Sequence, residues 1–252
     1  IPSQTYQKLF TALSDDYDVI YVPLLGASEY YPVDNHWKIL TQQVIDSIES
    51  QAQGRQVIGV GHSLGALTTF MASRLRPDLF SQVIMLDPPM IVGAAGFMMH
   101  IAKIIAPGFV DKHTPAALSA KRRDHWANRE EAKEKLTGRG IFKHFDADCF
   151  NAYIQYGLKE DTERGGVTLT IPKDAEVEIF RTSPTLWWLP QPKLKVPVHL
   201  VVGHDSQFEQ RGFPKKISKK FGIPYSVMQG GHMFPLEYPL ETVAKIKSLI
   251  QS

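Results

Sequence analysis

Three side chains that could carry out nucleophilic acyl chemistry together stand in the order serine, carboxylate, histidine: Ser63, then Asp205 or Asp87, then His232. A serine hydroxyl is a weak nucleophile at neutral pH and needs a base within hydrogen-bond reach. An imidazole can be that base when a carboxylate fixes its tautomer and stabilises its charged form. Ser63 is the centre of Gly61-His62-Ser63-Leu64-Gly65, and His232 follows Gly230-Gly231. Asp205 closes the run Val202-Gly203-His204 and is the favoured acid. Asp87, before Pro88-Pro89, also ends an apolar run and is its rival. Cys149 is the single cysteine, lacks comparable surroundings and reads as structural. His62 reads as a packing residue and His204 as a loop residue. The remaining histidines show no paired metal-ligand spacing, so no metal site is expected.

Those residues need elements to position them. Gln56-Val57-Ile58-Gly59-Val60 reads as a buried strand, and Ala66 to Leu75 as a helix ended by Pro77. The G-x-S-x-G pattern therefore stands at a strand-to-helix turn, the setting of a nucleophile elbow. Gly61 and Gly65 lack Cβ atoms and let strand and helix approach. The amide of Leu64 faces the same space as the hydroxyl and is the expected oxyanion donor. Further strands are predicted over 17–22, 83–86, 196–202 and 225–228, with helices over 35–48, 212–221 and 240–250. Alternating strands and helices predict a mostly parallel sheet with crossovers, hence an α/β fold. Asp205 and His232 both close strands on the side where the elbow lies.

Residues 90–192 break that rhythm, and the spacing predicts a mainly helical cap inserted between core segments 1–89 and 193–252. Phe97, Met98, Met99, Ile104, Ile105 and Phe109, with Trp187 and Trp188, are expected to line a pocket for a medium-sized apolar acyl or alcohol group.

Composition sets the outer bounds. A chain of 252 residues, 43% hydrophobic and 21% charged, can bury a large core. A net charge of +2 makes no case for a nucleic-acid partner. One cysteine rules out an internal disulfide framework and fits a reducing compartment. The apolar run from Met90 to Phe109 is broken by Gly93, Gly96, His100, Lys103 and Pro107, which is poor for a membrane span. No secretory leader pattern is read at Ile1-Pro2-Ser3, and a cytoplasmic location is expected.

Gly61-His62-Ser63-Leu64-Gly65, Val202-Gly203-His204-Asp205 and Gly230-Gly231-His232 together resemble the α/β-hydrolase superfamily over nearly the whole chain. Pro2-Ser3-Gln4-Thr5-Tyr6, Tyr31-Pro32-Val33-Asp34-Asn35-His36-Trp37 and Leu86-Asp87-Pro88-Pro89 look like a bacterial subgroup of capped hydrolases of poorly defined substrate. The resemblance implies the α/β-hydrolase fold, and hydrolysis of an ester or related acyl bond of a small molecule, without a cofactor. It also implies a helical cap over the pocket. In that superfamily a strand ending in His-Gly, or a close variant, precedes the first helix and supplies a second oxyanion amide. Here that motif would fall before Ile1. The family's first strands are therefore expected in an N-terminal segment or a separate chain that completes the sheet, with Ile1 near the second donor. The reading is a serine hydrolase working through an acyl-enzyme. Carbon–carbon bond hydrolysis and acyl transfer on the same triad remain open, and so does a non-catalytic ligand-binding protein with a vestigial triad.

Overall fold

The computed structural model describes residues 1–251. After a turn of 3-10 helix at Ser3–Tyr6 come helices α1 (Gln7–Leu13) and α2 (Lys38–Gln51), then strand β1 (Val57–His62) and helix α3 (Leu64–Leu75). Strand β2 (Phe80–Leu86) leads into an insert. It holds α4 (Gly93–Ile105), α5 (Pro107–His113), α6 (Ala116–Lys121), β3 (His125–Trp126), α7 (Arg129–Leu136), α8 (Ala147–Tyr156), β4 (Leu158–Glu160), β5 (Val167–Leu169) and α9 (Lys173–Thr182). The chain then returns through β6 (Val198–Gly203), α10 (Gln207–Gln210), α11 (Phe213–Phe221), β7 (Tyr225–Met228), α12 (Phe234–Glu237) and α13 (Pro239–Ile250).

Strands β1, β2, β6 and β7 form one parallel sheet in that spatial order. Period-two alternation divides the side chains of β2 between its faces. Val83 and Met85 join Leu40, Phe70 and Leu200 in the cluster under α2 and α3. Ile84 and Leu86 join Val201, Phe234 and Ile246 in the cluster under α13. A sheet buried on both faces reads as continuous apolar runs rather than alternating ones, which is why the strands stood out in the sequence. The insert is mainly helical, as expected, and adds a small antiparallel sheet ordered β3-β5-β4. It has its own core around Trp126, Phe150, Tyr153 and Leu169.

One expected strand is absent. Residues 17–22 form no ladder with β1; they are held by Ser3, which donates from its amide to Pro23 O at 3.2 Å and from Oγ to Val22 O at 2.5 Å. Phe10 stacks on Tyr21 at 5.1 Å between ring centroids. Apolar, β-branched composition is satisfied by such half-buried packing, but a strand also needs a neighbour at ladder distance. β1 is consequently an edge strand of the sheet, and Val60 on it is 37% exposed. A cavity of 1630 Å³ runs along this edge, lined by Phe10, Ile20 and Val22 and by Val57, Ile58 and Val60 of β1.

Candidate active site

β1 ends at His62, and α3 begins at Leu64, leaving Ser63 alone to reverse the chain. Its backbone sits at φ 53° and ψ −117°, a strained conformation for a residue with a Cβ. The Ser63 amide donates to Leu86 O at 3.0 Å, which ties the turn to the end of β2. Gly61 is required by close approach: a Cβ there would lie 2.2 Å from Gly65 O. Gly65 differs from expectation, because a Cβ there meets nothing within 4 Å. Gly61→Ala is therefore expected to cost stability at or beyond the top of the ~1–3 kcal/mol range for overpacking. Gly65→Ala, in the first turn of a helix, should stay within about 1 kcal/mol of wild type. Thermal melts of the two variants check this.

The structure brings Ser63 and His232 together. His232 Nε2 lies 3.0 Å from Ser63 Oγ. His232 Nδ1 lies 2.6 Å from a carboxylate oxygen, and the carboxylate is that of Asp87. The contact expected of Asp205 is therefore made by Asp87. Asp87 is fully buried one strand over from the elbow, just past β2, at φ 42°. Its carboxylate also accepts from Gly203 N at 3.1 Å and from Ser206 Oγ at 2.6 Å. Asp205 turns to solvent instead, with its side chain 69% exposed and 2.8 Å from His204 Nδ1. The reason lies in the backbone after β6. His204 and Asp205 donate their amides to Met228 O and Gly230 O, which extends the β6–β7 pairing and carries the Asp205 side chain outward. The β6 turn contributes to the site all the same, through Gly203 N and Ser206 Oγ on the Asp87 carboxylate. Sequence reasoning missed Ser206; its signal is a serine directly after a strand-ending turn, where it also caps α10 by accepting from Phe208 N at 3.2 Å.

The expected pocket residues lie elsewhere. Phe97, Met98 and Phe109 are 44%, 62% and 46% exposed. Trp187 is buried against Phe70 and Phe221, and Trp188 packs on Phe97 and His100. The cause is Gly96, which seats α4 against Ile91 and Thr185 and turns the opposite, apolar face outward. The cavity at Ser63 and His232 is bounded by Pro89, Ile91, Leu118, Ile171, Ile179 and Phe208. Ile1 and Leu64 also line it. Leu64 heads α3, so its amide has no acceptor inside the helix. Among the described residues, no three His, Cys, Asp or Glu side chains are grouped to hold a metal ion, and no helix is long and apolar enough to cross a membrane.

His62, next to Ser63, has two polar partners: Tyr6 Oη lies 2.5 Å from Nδ1 and the His232 carbonyl 2.7 Å from Nε2. Burial, reinforced by the neighbouring His232, pulls its pKa down from the ordinary 6.5 to about 3. Between those values the unfolded chain binds a proton that the native state refuses, so stability rises with pH across that window. The contribution is complete above pH 6.5 and is lost as pH falls toward 3. The slope from this one group is roughly 1.4 kcal/mol per pH unit. Urea denaturation of wild type and His62→Gln between pH 4 and 7 checks it: the wild type is expected to lose more stability on acidification than the variant.

A family model described as "Alpha/beta hydrolase family" matches residues 4–246. The "Uncharacterized hydrolase YugF" of Bacillus subtilis is 25% identical over 250 residues, covering 93% of this chain and 81% of that protein. Among solved structures, the E-2-(acetamidomethylene)succinate hydrolase superposes with a TM-score of 0.77 at 21% identity, covering all of this chain and 88% of that one. The thioesterase domain from the curacin biosynthetic pathway gives 0.71 at 16% identity, covering all of this chain and 87% of that one. At such identities these structures share the fold with this chain.

Proposed function

The chain belongs to the alpha/beta hydrolase family, and from that premise we propose that it is a serine hydrolase cleaving an ester or related acyl bond of a small apolar molecule. The observation that carries this is the continuous contact from Ser63 Oγ to His232 Nε2 at 3.0 Å and from His232 Nδ1 to Asp87 Oδ2 at 2.6 Å. Ser63 attacks the carbonyl carbon while His232 Nε2 takes the hydroxyl proton. Asp87, accepting from Nδ1–H, holds the tautomer that leaves Nε2 free to do so. The oxyanion forms beside the Leu64 amide at the start of α3, with Ile1, which lines the same cavity, as the candidate for a second donor. Collapse of the tetrahedral intermediate expels the alcohol, which takes its proton from His232. Water then repeats the sequence on the acyl-enzyme.

The insert between β2 and β6 acts as the cap. Leu118, Ile171 and Ile179 from it face the cavity that holds Ser63, which supports an apolar acyl or alcohol group. The free edge of β1 is the place where an extended segment would pair and close the groove beside the elbow. Slow hydrogen exchange, in the active protein, at the β1 amides facing away from β2 would support such pairing, and fast exchange would refute it.

The central test is covalent. A fluorophosphonate should label wild type on Ser63 and leave His232→Ala unlabelled, because phosphonylation needs the base. Turnover of p-nitrophenyl esters of graded chain length then reads the pocket, with medium acyl chains expected to exceed acetate. An unlabelled wild type would sink the proposal.

A further inference from the structure

We infer that Tyr6 and His62 form a one-way hydrogen-bond relay that positions the general base: Tyr6 O–H donates to His62 Nδ1, and His62 Nε2–H donates to the backbone carbonyl of His232. The inference rests on the hydrolase reading and assigns His62 a part in it as a positioning residue. His62 was read from the sequence as packing, and the catalytic steps above do not use it.

The hydrogen directions follow from the chemistry of the partners. The His232 carbonyl can only accept, so the proton at the 2.7 Å contact belongs to His62 Nε2. A neutral imidazole then has a bare Nδ1 that must accept, and the Tyr6 hydroxyl at 2.5 Å is the donor it meets. Neutrality follows from enclosure, with the His232 ring 5.0 Å away between centroids. The titratable groups acting on the ring include His232, Tyr6 and the Ile1 amino group, whose charge, like that of His232, disfavours a cationic His62. Burial raises the Tyr6 phenol above its ordinary range, so it stays a donor. Tyr6 is itself held in place, packed with Leu9 and with Cys149 of α8.

The anchored carbonyl is where an anchor has most effect. His232 follows two glycines, and Gly230 sits at φ 99°. Such a segment has wide backbone freedom unless it is tied down. Gly231 N is held by Glu237 Oε2 at 3.0 Å, and Gly230 O by Asp205 N at 2.9 Å. The bond from His62 fixes the peptide of the base itself. Because His62 is also the residue before the nucleophile, one imidazole spans from the elbow to the loop that carries the base. It thereby sets the separation of Ser63 Oγ and His232 Nε2.

Two readouts test the relay. The first is ¹⁵N NMR of histidine-labelled protein, with His62 assigned by its loss in His62→Gln. Wild type is expected to show a neutral His62 protonated at Nε2 from pH 5 to 8. Tyr6→Phe, which removes one oxygen, should shift population toward the Nδ1–H form. A wild-type His62 that is cationic, or protonated at Nδ1, overturns the relay. The second is kinetic, with a p-nitrophenyl ester and fluorophosphonate labelling. Tyr6→Phe should lower kcat about 10-fold and His62→Leu about 100-fold, with KM within about twofold, since a misplacement near 1 Å can cost a factor of that order. His62→Gln, whose amide can still donate to the carbonyl, should recover part of the loss. Folded Tyr6→Phe and His62→Leu proteins with wild-type kcat and labelling rates overturn the positioning role. A wild type that resists labelling overturns the hydrolase reading instead, while the NMR result still decides the relay.

Discussion

Replacing Asp87 by Asn is expected to lower turnover about 10⁴-fold, while Asp205→Asn stays within about threefold of wild type. The Asp87 carboxylate accepts from Gly203 N, Ser206 Oγ and His232 Nδ1 at once. An Asn side chain offers one oxygen and one NH₂ group. If the NH₂ group faces His232, Nδ1 must accept and the ring proton moves to Nε2. The imidazole then points a hydrogen at Ser63 and can no longer take the serine proton. Asp205 makes no comparable contact: its carboxylate is exposed and, among the side chains of the described residues, meets only His204 Nδ1. Steady-state kinetics on both variants, with circular dichroism to establish folding, measures the difference. Equal and large losses in the two would refute the assignment of Asp87.

The two aspartates show what a chain order can and cannot specify. Asp87 and Asp205 both follow apolar strands, and both lie between Ser63 and His232 in sequence. The order serine, acid, histidine is therefore satisfied by either. The choice depends on spatial order, in which β2 sits between β1 and β6, and on where the amides after β6 find acceptors. Those are facts about neighbours across the sheet and leave no trace in local composition. The elbow was legible because its signal is local: a β-branched run, a forced turn and a helix, with Gly61 required by contact at 2.2 Å. His232 was legible for the same reason, since two glycines after a short strand mark a turn. The cavity lining was not. Helix α4 is rich in apolar residues, yet which face it buries is decided by the contact of Gly96 with Ile91 and Thr185. Residues 17–22 show the converse case, strand composition without a strand partner.

Ser63→Ala and His232→Ala are each expected to lower kcat about 10⁶-fold, and the double variant is expected to be no worse than either alone. In the proposed mechanism the two side chains act as one unit across their 3.0 Å contact, so removing either removes the nucleophile in its reactive form. Without His232, the Ser63 hydroxyl keeps its proton at neutral pH and scarcely attacks. Without Ser63, His232 has no alcohol to deprotonate, and only a poorly positioned water remains. What survives in all three proteins is the binding cavity and the oxyanion donor at the start of α3, which together sustain a residual rate of about 10³- to 10⁴-fold over water. KM is expected to stay within about threefold throughout, because neither side chain is needed to hold the apolar group against Leu118, Ile171 and Ile179. The measurement is kcat and KM for the three variants on one ester, with enzyme purified to exclude wild-type contamination. Multiplying losses in the double variant would mean that the two residues act independently, and a nucleophile other than Ser63 would have to be sought.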